Sequence, residues 1–389
     1  MSKITAKNIT IFLPRLHNNM RPLINGLLEN NYKVSVLVMR SGQIEDHSKI
    51  NYTKAKRYSF MCKKLTNIDE IRRFEFISLF DVIKYFKKNK PEYLLIRNDT
   101  TLAFLTVLMI GKIRKCRIIF YNQYPYFDNH ITRNIYNSFF YKILRIPSIT
   151  PVLNENLDLK NIVKNETLTE YKKRLFNLLQ NTPSSTGKIW FPFGIEKLPS
   201  NKPNIKKINI LTVGKFEKRK NLDLVIDCVS KISKNKKQLF ELTIAGELEP
   251  KHTDYFNYIN YLSSNSGTKN LKIQVLCNLS RPKMMNLYRN SHYFFLLSEK
   301  EICSVSQVEA FIHNCKLVIN CDNGNLDFLP VHKNYFLVTD LEQFIANPGQ
   351  IKLDNRVVNM NNYIYEYNKV FGINSQAKRL DFLFQTTQF

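Results

Sequence analysis

Ile208-Asn209-Ile210-Leu211-Thr212-Val213-Gly214-Lys215-Phe216-Glu217-Lys218-Arg219-Lys220-Asn221 is the stretch whose reading decides the fold. Its first six residues, rich in branched side chains, read as a buried strand that stops at Gly214. From Asn221 to Ile232 the apolar spacing turns helical. The next segment, Glu241-Leu242-Thr243-Ile244-Ala245, is again a strand that closes on a glycine, Gly246. Ile273 to Leu276, Phe294 to Leu297 and Lys316 to Asn320 read as further strands, with helices from Ser280-Arg281-Pro282 and over Ser306 to Ile312. Ser280 is expected at the N-cap, with Pro282 in the first turn. Such alternation implies parallel strands joined by right-handed helical crossovers.

Working back toward the start, a similar series appears. Asn8 to Leu13 and Lys33 to Val38 read as strands around a helix over Arg21 to Asn30. Tyr93 to Ile96, Arg117 to Tyr121 and Ser148 to Leu153 continue it, with a helix over Thr101 to Ile110. The polar run Asn181-Thr182-Pro183-Ser184-Ser185-Thr186-Gly187-Lys188 separates the two series and marks a domain boundary. The expected architecture is α/β, two Rossmann-like doubly wound domains facing a central cleft. The first domain spans 1–188 and the second 189–365. Ligands in such sheets sit outside the carboxyl ends of the strands.

A chain of 389 residues with 44% apolar residues, 27 Phe and 20 Tyr has material for two cores. The 58 Lys and Arg against 32 Asp and Glu leave a formal charge of +26. Abundant Lys, Asn and Ile fit biased codon use, which accounts for part of that excess; the rest favours phosphate-bearing or anionic-lipid partners. Seven scattered cysteines form no C-x-x-C pair, which points to a reducing cytoplasm rather than a disulfide framework or zinc site. The N-terminus shows no signal-peptide core, and Leu102 to Ile110 is far short of the ~20 residues that span a bilayer.

Two places can carry chemistry. After the strand that ends at Gly214, Lys215 and Lys220 can converge on a diphosphate, whose charge grows as a nucleotide–sugar bond breaks. The same run also reads as a solvated helix start. The second place is Ser298-Glu299-Lys300-Glu301-Ile302-Cys303-Ser304-Val305-Ser306-Gln307-Val308-Glu309-Ala310, a strand end that opens a helix. Its loop amides can hold anionic oxygens. Glu301 would meet sugar hydroxyls and Glu309 a ribose, since a carboxylate accepts more than one O–H bond. Ser306-Gln307-Val308-Glu309 is equally a capping box, in which Glu309 only closes the helix start. No G-x-G-x-x-G, P-loop or H-E-x-x-H is present, and no D-x-D follows a strand.

These motifs, in order over roughly residues 190–330, resemble the retaining family 4 glycosyltransferases (glycosyl transferases group 1) of the GT-B fold. Phe191-Pro192-Phe193-Gly194-Ile195-Glu196 is similar to the interdomain proline-x-glycine segment. Gly214-Lys215-Phe216 with Lys220-Asn221 matches the elements that hold the donor diphosphate, and Leu242 to Gly246 the next strand-glycine turn. Glu301 and Glu309 match E-x7-E with its trailing alanine, and Asp322-Asn323-Gly324-Asn325 the polar turn after the following strand. The resemblance implies Glu301, Lys220 and Lys215 as catalytic residues. It implies a donor site of Gly214, Lys215, Lys220, Glu301, Ser304, Val305 and Glu309, with the amides near Ser304 and Val305 at the phosphates. It implies a terminal helix around Gln376 to Phe384, within 366–389, that crosses back to the first domain. No cofactor or metal is expected, because lysines and a helix N-terminus replace the metal.

The first half matches in plan more than in residues. Pro14-Arg15-Leu16-His17-Asn18-Asn19 lacks the family's glycine pair, and Asn122 stands near a place where a histidine is common. Arg15, Asn122 and His130 are the site candidates on that side. The function implied is transfer of a sugar, with retention, from a nucleotide donor to a lipid-linked glycan in bacterial surface-polysaccharide assembly. Basic runs at Lys84 to Lys88, Lys112 to Arg117 and Tyr171 to Arg174 suit docking on an anionic membrane from the cytoplasm. Nucleic-acid binding finds no recognition-helix, RNA-sheet or zinc-module signature, so nucleic acid is not an expected partner. The alternatives are a nucleic-acid-binding basic protein and a degenerate pair of lobes that binds sugar nucleotides without turnover.

Overall fold

The computed structural model describes residues 6–16, 18–40, 50, 52–58, 76–97, 101–122, 139, 142–151, 166–180, 188–191, 194–195, 206–234, 236–299, 301, 303–321, 323–330, 332, 335–356 and 359–386. The chain divides into two compact units. The first holds Met1–Leu153, Asn177–Glu196 and Lys369–Phe389; the second holds Asn154–Phe176 and Lys197–Asn368. The division read from the sequence at 188/189 and 365/366 differs from this in three places. Lys188–Trp190 is a strand of the first sheet, paired with Ser148–Thr150, so the first unit runs on to Glu196. Asn154–Phe176 belongs to the second unit, and the return to the first falls at Lys369.

The first unit is built on a seven-stranded parallel sheet in the order β3-β2-β1-β6-β7-β8-β9. The strands are β1 (Lys7–Arg15), β2 (Tyr32–Arg40), β3 (Tyr52–Lys54), β6 (Tyr93–Arg97), β7 (Arg117–Tyr121), β8 (Ser148–Thr150) and β9 (Lys188–Trp190). A two-stranded antiparallel pair, β4 (Arg57–Tyr58) and β5 (Phe76–Ile77), lies outside it. Helices α1 (Arg21–Glu29), α2 (Leu79–Asn89) and α3 (Leu102–Ile113) connect the strands. Ser78 and Thr101 cap the last two, each accepting an amide hydrogen bond with its side chain. Phe12, Phe86, Phe104 and Phe120 fill one core cluster beneath these helices. At the base of the sheet Glu92 lends its carbonyl to the Arg117 amide.

The second unit carries a six-stranded parallel sheet, β12-β11-β10-β13-β14-β15. Its strands are β10 (Ile208–Val213), β11 (Phe240–Gly246), β12 (Leu271–Cys277), β13 (Tyr293–Leu296), β14 (Lys316–Asn320) and β15 (Phe336–Val338). Counted within the unit, the order is 3-2-1-4-5-6, that of a dinucleotide-binding sheet, with the strand order reversing between β10 and β13. Helices α4 (Leu168–Gln180), α5 (Leu222–Lys234), α6 (Thr253–Asn265), α7 (Arg281–Asn290), α8 (Val305–Ile312), α9 (Leu341–Ala346) and α10 (Asn361–Phe371) complete the order of elements. The basic run on α4 is solvated only in part: Lys172 and Lys173 are exposed, while its other members turn inward. Tyr171 is fully buried and donates to the Phe328 carbonyl, Arg174 clamps Glu166, and Lys172 pairs with Glu366, all within the second unit. Among the described residues no helix is long and apolar enough to cross a membrane.

The last helix, α11 (Ile373–Thr386), packs in the first unit. Ala377, Leu380 and Phe384 face inward, and the Phe384 ring meets Tyr93 at 4.9 Å. Asp381 accepts from Lys7 at 2.7 Å and from the Tyr32 hydroxyl. Burial works against that carboxylate, yet these bonds outweigh it and hold Asp381 below its ordinary pKa. The close approach itself is made by Gly26 on α1, where a Cβ would sit 2.2 Å from the carbonyl oxygen of Ile373. Backbone cannot yield as a side chain would. Gly26→Ala is therefore expected to lower stability by about 1–3 kcal/mol despite the better helix propensity of alanine, read as an earlier thermal unfolding transition. An unchanged midpoint would show that α1 and α11 can separate freely.

Candidate active site

The carboxyl ends of β10 and β13 adjoin at the point where the strand order reverses, and the basic and acidic motifs emerge there. Past its end β10 keeps tracking β11: the Gly214 amide bonds the Ala245 carbonyl at 3.0 Å. A Cβ on Gly246 would lie 1.8 Å from the Gly214 carbonyl oxygen, so the second strand-glycine turn exists to let the first one pass. Gly214 in turn leaves room for the stem of Lys220, which a Cβ there would meet at 3.2 Å.

Lys218–Lys220 form one 3-10 turn, closed by Asn221 in the left-handed conformation at φ 50°. Asparagine tolerates that geometry better than most residues. Its side chain does more than tolerate it. The amide nitrogen donates to the Leu297 carbonyl at 3.0 Å and to Glu299 at 3.3 Å, while the Glu299 amide returns a bond to Arg219. The basic turn after β10 and the acidic loop after β13 are thus stitched together. Lys220 Nζ meets Glu301 Oε2 at 2.5 Å, with both side chains only 10% exposed, and Arg219 approaches the same oxygen at 3.8 Å.

Lys215 is placed elsewhere. Its ammonium pairs with Glu249 and lies 3.8 Å from Glu247, both beyond the end of β11. Burial works to raise the Glu249 carboxyl, but Lys215 and then Lys251 outweigh it and bring it down to about 2. The two lysines read together in the sequence thus hold two different carboxylates. Arg219, there only one member of a basic run, is the third group at Glu301.

Glu301 is held by its backbone as well. It forms a parallel bridge with Asn323, and its carbonyl accepts from the Gly324 amide at 2.9 Å. Behind it lies a buried polar knot, built in part from the polar turn read in the sequence. Asn325 accepts from the Ser304 amide at 3.1 Å and donates to the Ser304 carbonyl at 2.7 Å. Asn323 and Asn325 both donate to Gln307 Oε1, at 2.7 and 3.1 Å. Gln307 and Asn325 are wholly buried. In this knot the polar turn after β14 fixes the loop that carries Glu301; Asp322 itself lies outside the described residues.

The start of α8 differs from the box read in the sequence. Ser304, not Ser306, is the N-cap, and its hydroxyl accepts from the Gln307 amide at 3.3 Å. The helix therefore begins two residues early, and Glu309 stands in its second turn, beyond reach of the orphan amides. Its carboxylate bonds Arg281 at 2.9 Å instead. The Ser304 amide is taken by Asn325, which leaves the first-turn amides of Val305 and Ser306 without an intrahelical partner. Ser280 does occupy the N-cap position of α7, though its hydroxyl makes no capping bond.

In the first unit, Arg15 ends β1 opposite Arg40. Asn122 follows β7 and is 5% exposed, and among the described residues neither polar atom of its side-chain amide has a hydrogen-bond partner. His130 lies outside the described residues. No group of three or more His, Cys, Asp or Glu among the described residues is arranged to hold a metal.

Residues 195–356 match the family Glycosyl transferases group 1. No curated protein matches the chain in sequence. Among solved structures, a glycosyltransferase from Rickettsia africae is similar at TM-score 0.67 and 15% identity, covering 98% of each chain. HepE of Anabaena, solved with UDP and glucose, gives 0.63 at 12% identity, over 98% of this chain and 100% of its own. The pneumococcal O-GlcNAc transferase GtfA, solved with UDP and GlcNAc, gives 0.62 at 10% identity, over 98% and 99%. Likeness at these identities is one of fold: the chain has the GT-B fold of two Rossmann-like units, and its second unit bears the group 1 glycosyltransferase sequence pattern.

Proposed function

We propose that this chain is a retaining glycosyltransferase that moves a sugar from a nucleotide-diphosphate donor to a lipid-linked glycan in bacterial surface-polysaccharide assembly. The observation that carries the reading is the Lys220–Glu301 pair at the reversal of strand order, inside the segment that matches the group 1 family. Two similar structures hold UDP with a sugar, the ligand class proposed here. Each member of the pair complements one half of such a donor. Lys220, aided by the first-turn amides of Val305 and Ser306, receives the diphosphate and stabilises its charge as the anomeric bond breaks. Glu301, released from Lys220, accepts hydrogen bonds from the hexose hydroxyls. Glu309 takes the ribose. Lys215 adds charge at the diphosphate once that ligand competes with Glu249. These fixed cations and amides are proposed to serve in place of a metal. In the retaining route the departing phosphate oxygen takes the acceptor proton, so no side-chain base is required.

On the acceptor side, the side-chain amide of Asn122, which has no partner among the described residues, is a ready partner for a hydroxyl at the carboxyl ends of the first sheet. Membrane docking, from the cytoplasmic side, has a specific surface to use. Met109 and Ile113 on α3 and Ile143 are 64%, 75% and 62% exposed. Lys112, which donates to the Leu144 carbonyl at 3.3 Å, brings the two segments together, and exposed Arg114, Lys115, Lys142 and Arg145 flank them along the chain. Apolar tips among cations suit the boundary of an anionic bilayer.

Donor chemistry is tested by following nucleoside diphosphate release from a panel of nucleotide sugars. Wild type should turn over or slowly hydrolyse one donor. Glu301→Gln, which keeps a partner for Lys220, should lower the rate by about 10²–10³-fold; an equal rate in that variant would remove Glu301 from the site, and no response to any donor would sink the reading. Docking is tested by co-sedimentation with vesicles of phosphatidylglycerol and phosphatidylcholine. Binding should fall steeply with salt and be lost in Met109→Ser/Ile113→Ser, whereas equal binding by that variant would discard this surface.

A further inference from the structure

Arg281 stands where helix energetics disfavour it. It is the first residue of α7, at the positive end of the helix dipole, and that first turn holds no acidic residue. A cation there costs about 0.3–1 kcal/mol, so local helix stability does not account for its presence. Its guanidinium reaches across to α8, where Nη1 donates to Glu309 Oε1 at 2.9 Å. The two side chains are 18% and 12% exposed, so the pair is largely out of water.

Tyr288, also on α7 and fully buried, is near enough to feel that carboxylate: burial first, then the Glu309 charge, push that phenol well above its ordinary pKa. Its hydroxyl therefore stays protonated. His313 stacks on the Tyr288 ring at 5.6 Å, and its Nδ1 meets the Glu309 carbonyl oxygen at 2.7 Å. Arg281 on α7 thus holds the side chain of Glu309, and His313, the C-cap of α8, its backbone carbonyl. A carboxylate has about four lone-pair positions, and the guanidinium bond to Oε1 takes one of them. Two vicinal hydroxyls need that carboxylate in one orientation, whereas a single hydroxyl is satisfied by many.

We propose that Arg281 is the positioning residue that orients Glu309 toward the vicinal diol of the donor's ribose, and that this pair makes the site select ribonucleotides over 2′-deoxyribonucleotides. The inference rests on the donor reading of Glu309 given above. Arg281 touches the carboxylate and not the reacting atoms, so its effect is on recognition.

The test is isothermal titration of wild type, Arg281→Met, Arg281→Lys and Glu309→Gln with UDP, GDP and ADP and with their 2′-deoxy forms. Wild type should bind one ribonucleotide about tenfold or more tighter than its 2′-deoxy form, the loss expected when a hydrogen bond to a charged group is removed. Arg281→Met should weaken the ribonucleotide by about that factor and leave the deoxy form within about twofold, so that the ratio collapses toward one. Arg281→Lys should restore part of the ratio. Adding Glu309→Gln to Arg281→Met should cost little more, because the two act as one unit. A purely structural Arg281 would weaken both forms alike, and that outcome overturns the proposal, as does an unchanged ratio. Wild type that binds ribonucleotide without discrimination overturns this inference alone. Wild type that binds no nucleoside diphosphate overturns the donor reading with it.

Discussion

The pairing of β10 with β13 rests on two registered positions, Ile210 with Tyr293 and Leu211 with Phe294, and every part of the site depends on it. It is the one place in the second sheet where the strand order reverses. On one side the crossover helix leaves to one face, on the other to the opposite face, and the loops at the carboxyl ends diverge. Into the space they leave, one strand sends Lys220 and the other Glu301. Had β11 lain beside β13 instead, Lys220 and Glu301 would not meet. The topology sets the chemistry before any side chain is chosen.

What makes that geometry rigid is polar and buried rather than hydrophobic. Asn221 ties the basic turn to the carbonyl of Leu297, and Asn325 ties the start of α8 to the turn after β14. Each asparagine offers both a donor and an acceptor, so each can satisfy backbone groups that lie outside any ladder. Loops that leave strand ends carry unpaired amides and carbonyls, and burying them unpaired costs about 1–3 kcal/mol apiece. The knot of Ser304, Gln307, Asn323 and Asn325 settles that account with one set of side chains. The same bonds hold the backbone of Glu301 in register with Asn323. Stability of the loop and placement of the glutamate are one requirement.

Much of this was legible in the sequence, and the physical reason is periodicity. Parallel strands buried on both faces read as apolar runs, and Gly214 and Gly246 punctuate two of them. What stayed hidden was anything decided by the third dimension. Lys215 and Lys220 are close in sequence, yet one turns to Glu249 and the other to Glu301, a division that only the approach of β11 dictates. Ser306 to Glu309 has the spacing of a capping box, but the helix starts at Val305 because Asn325 already holds Ser304. Trp190 follows a boundary-like polar run and still joins the first sheet, since β8 offers an open edge. In each case a local signal was correct about residue type and silent about partner.

The ion pairs at the site sharpen the argument about what it is built to bind. A buried pair such as Lys220 with Glu301 gives up hydration on both groups, and its mutual attraction roughly repays that loss. It is therefore weak as a source of stability and cheap to part, provided that each group finds a new partner at once. A lone anion would satisfy Lys220 and leave Glu301 with only Arg219, 3.8 Å away; a neutral sugar would serve Glu301 and give Lys220 no anion. In the donor reading proposed above, a ligand with an anionic part and a polyhydroxylated part joined at short range offers both members of the pair, each 10% exposed, a new partner at once.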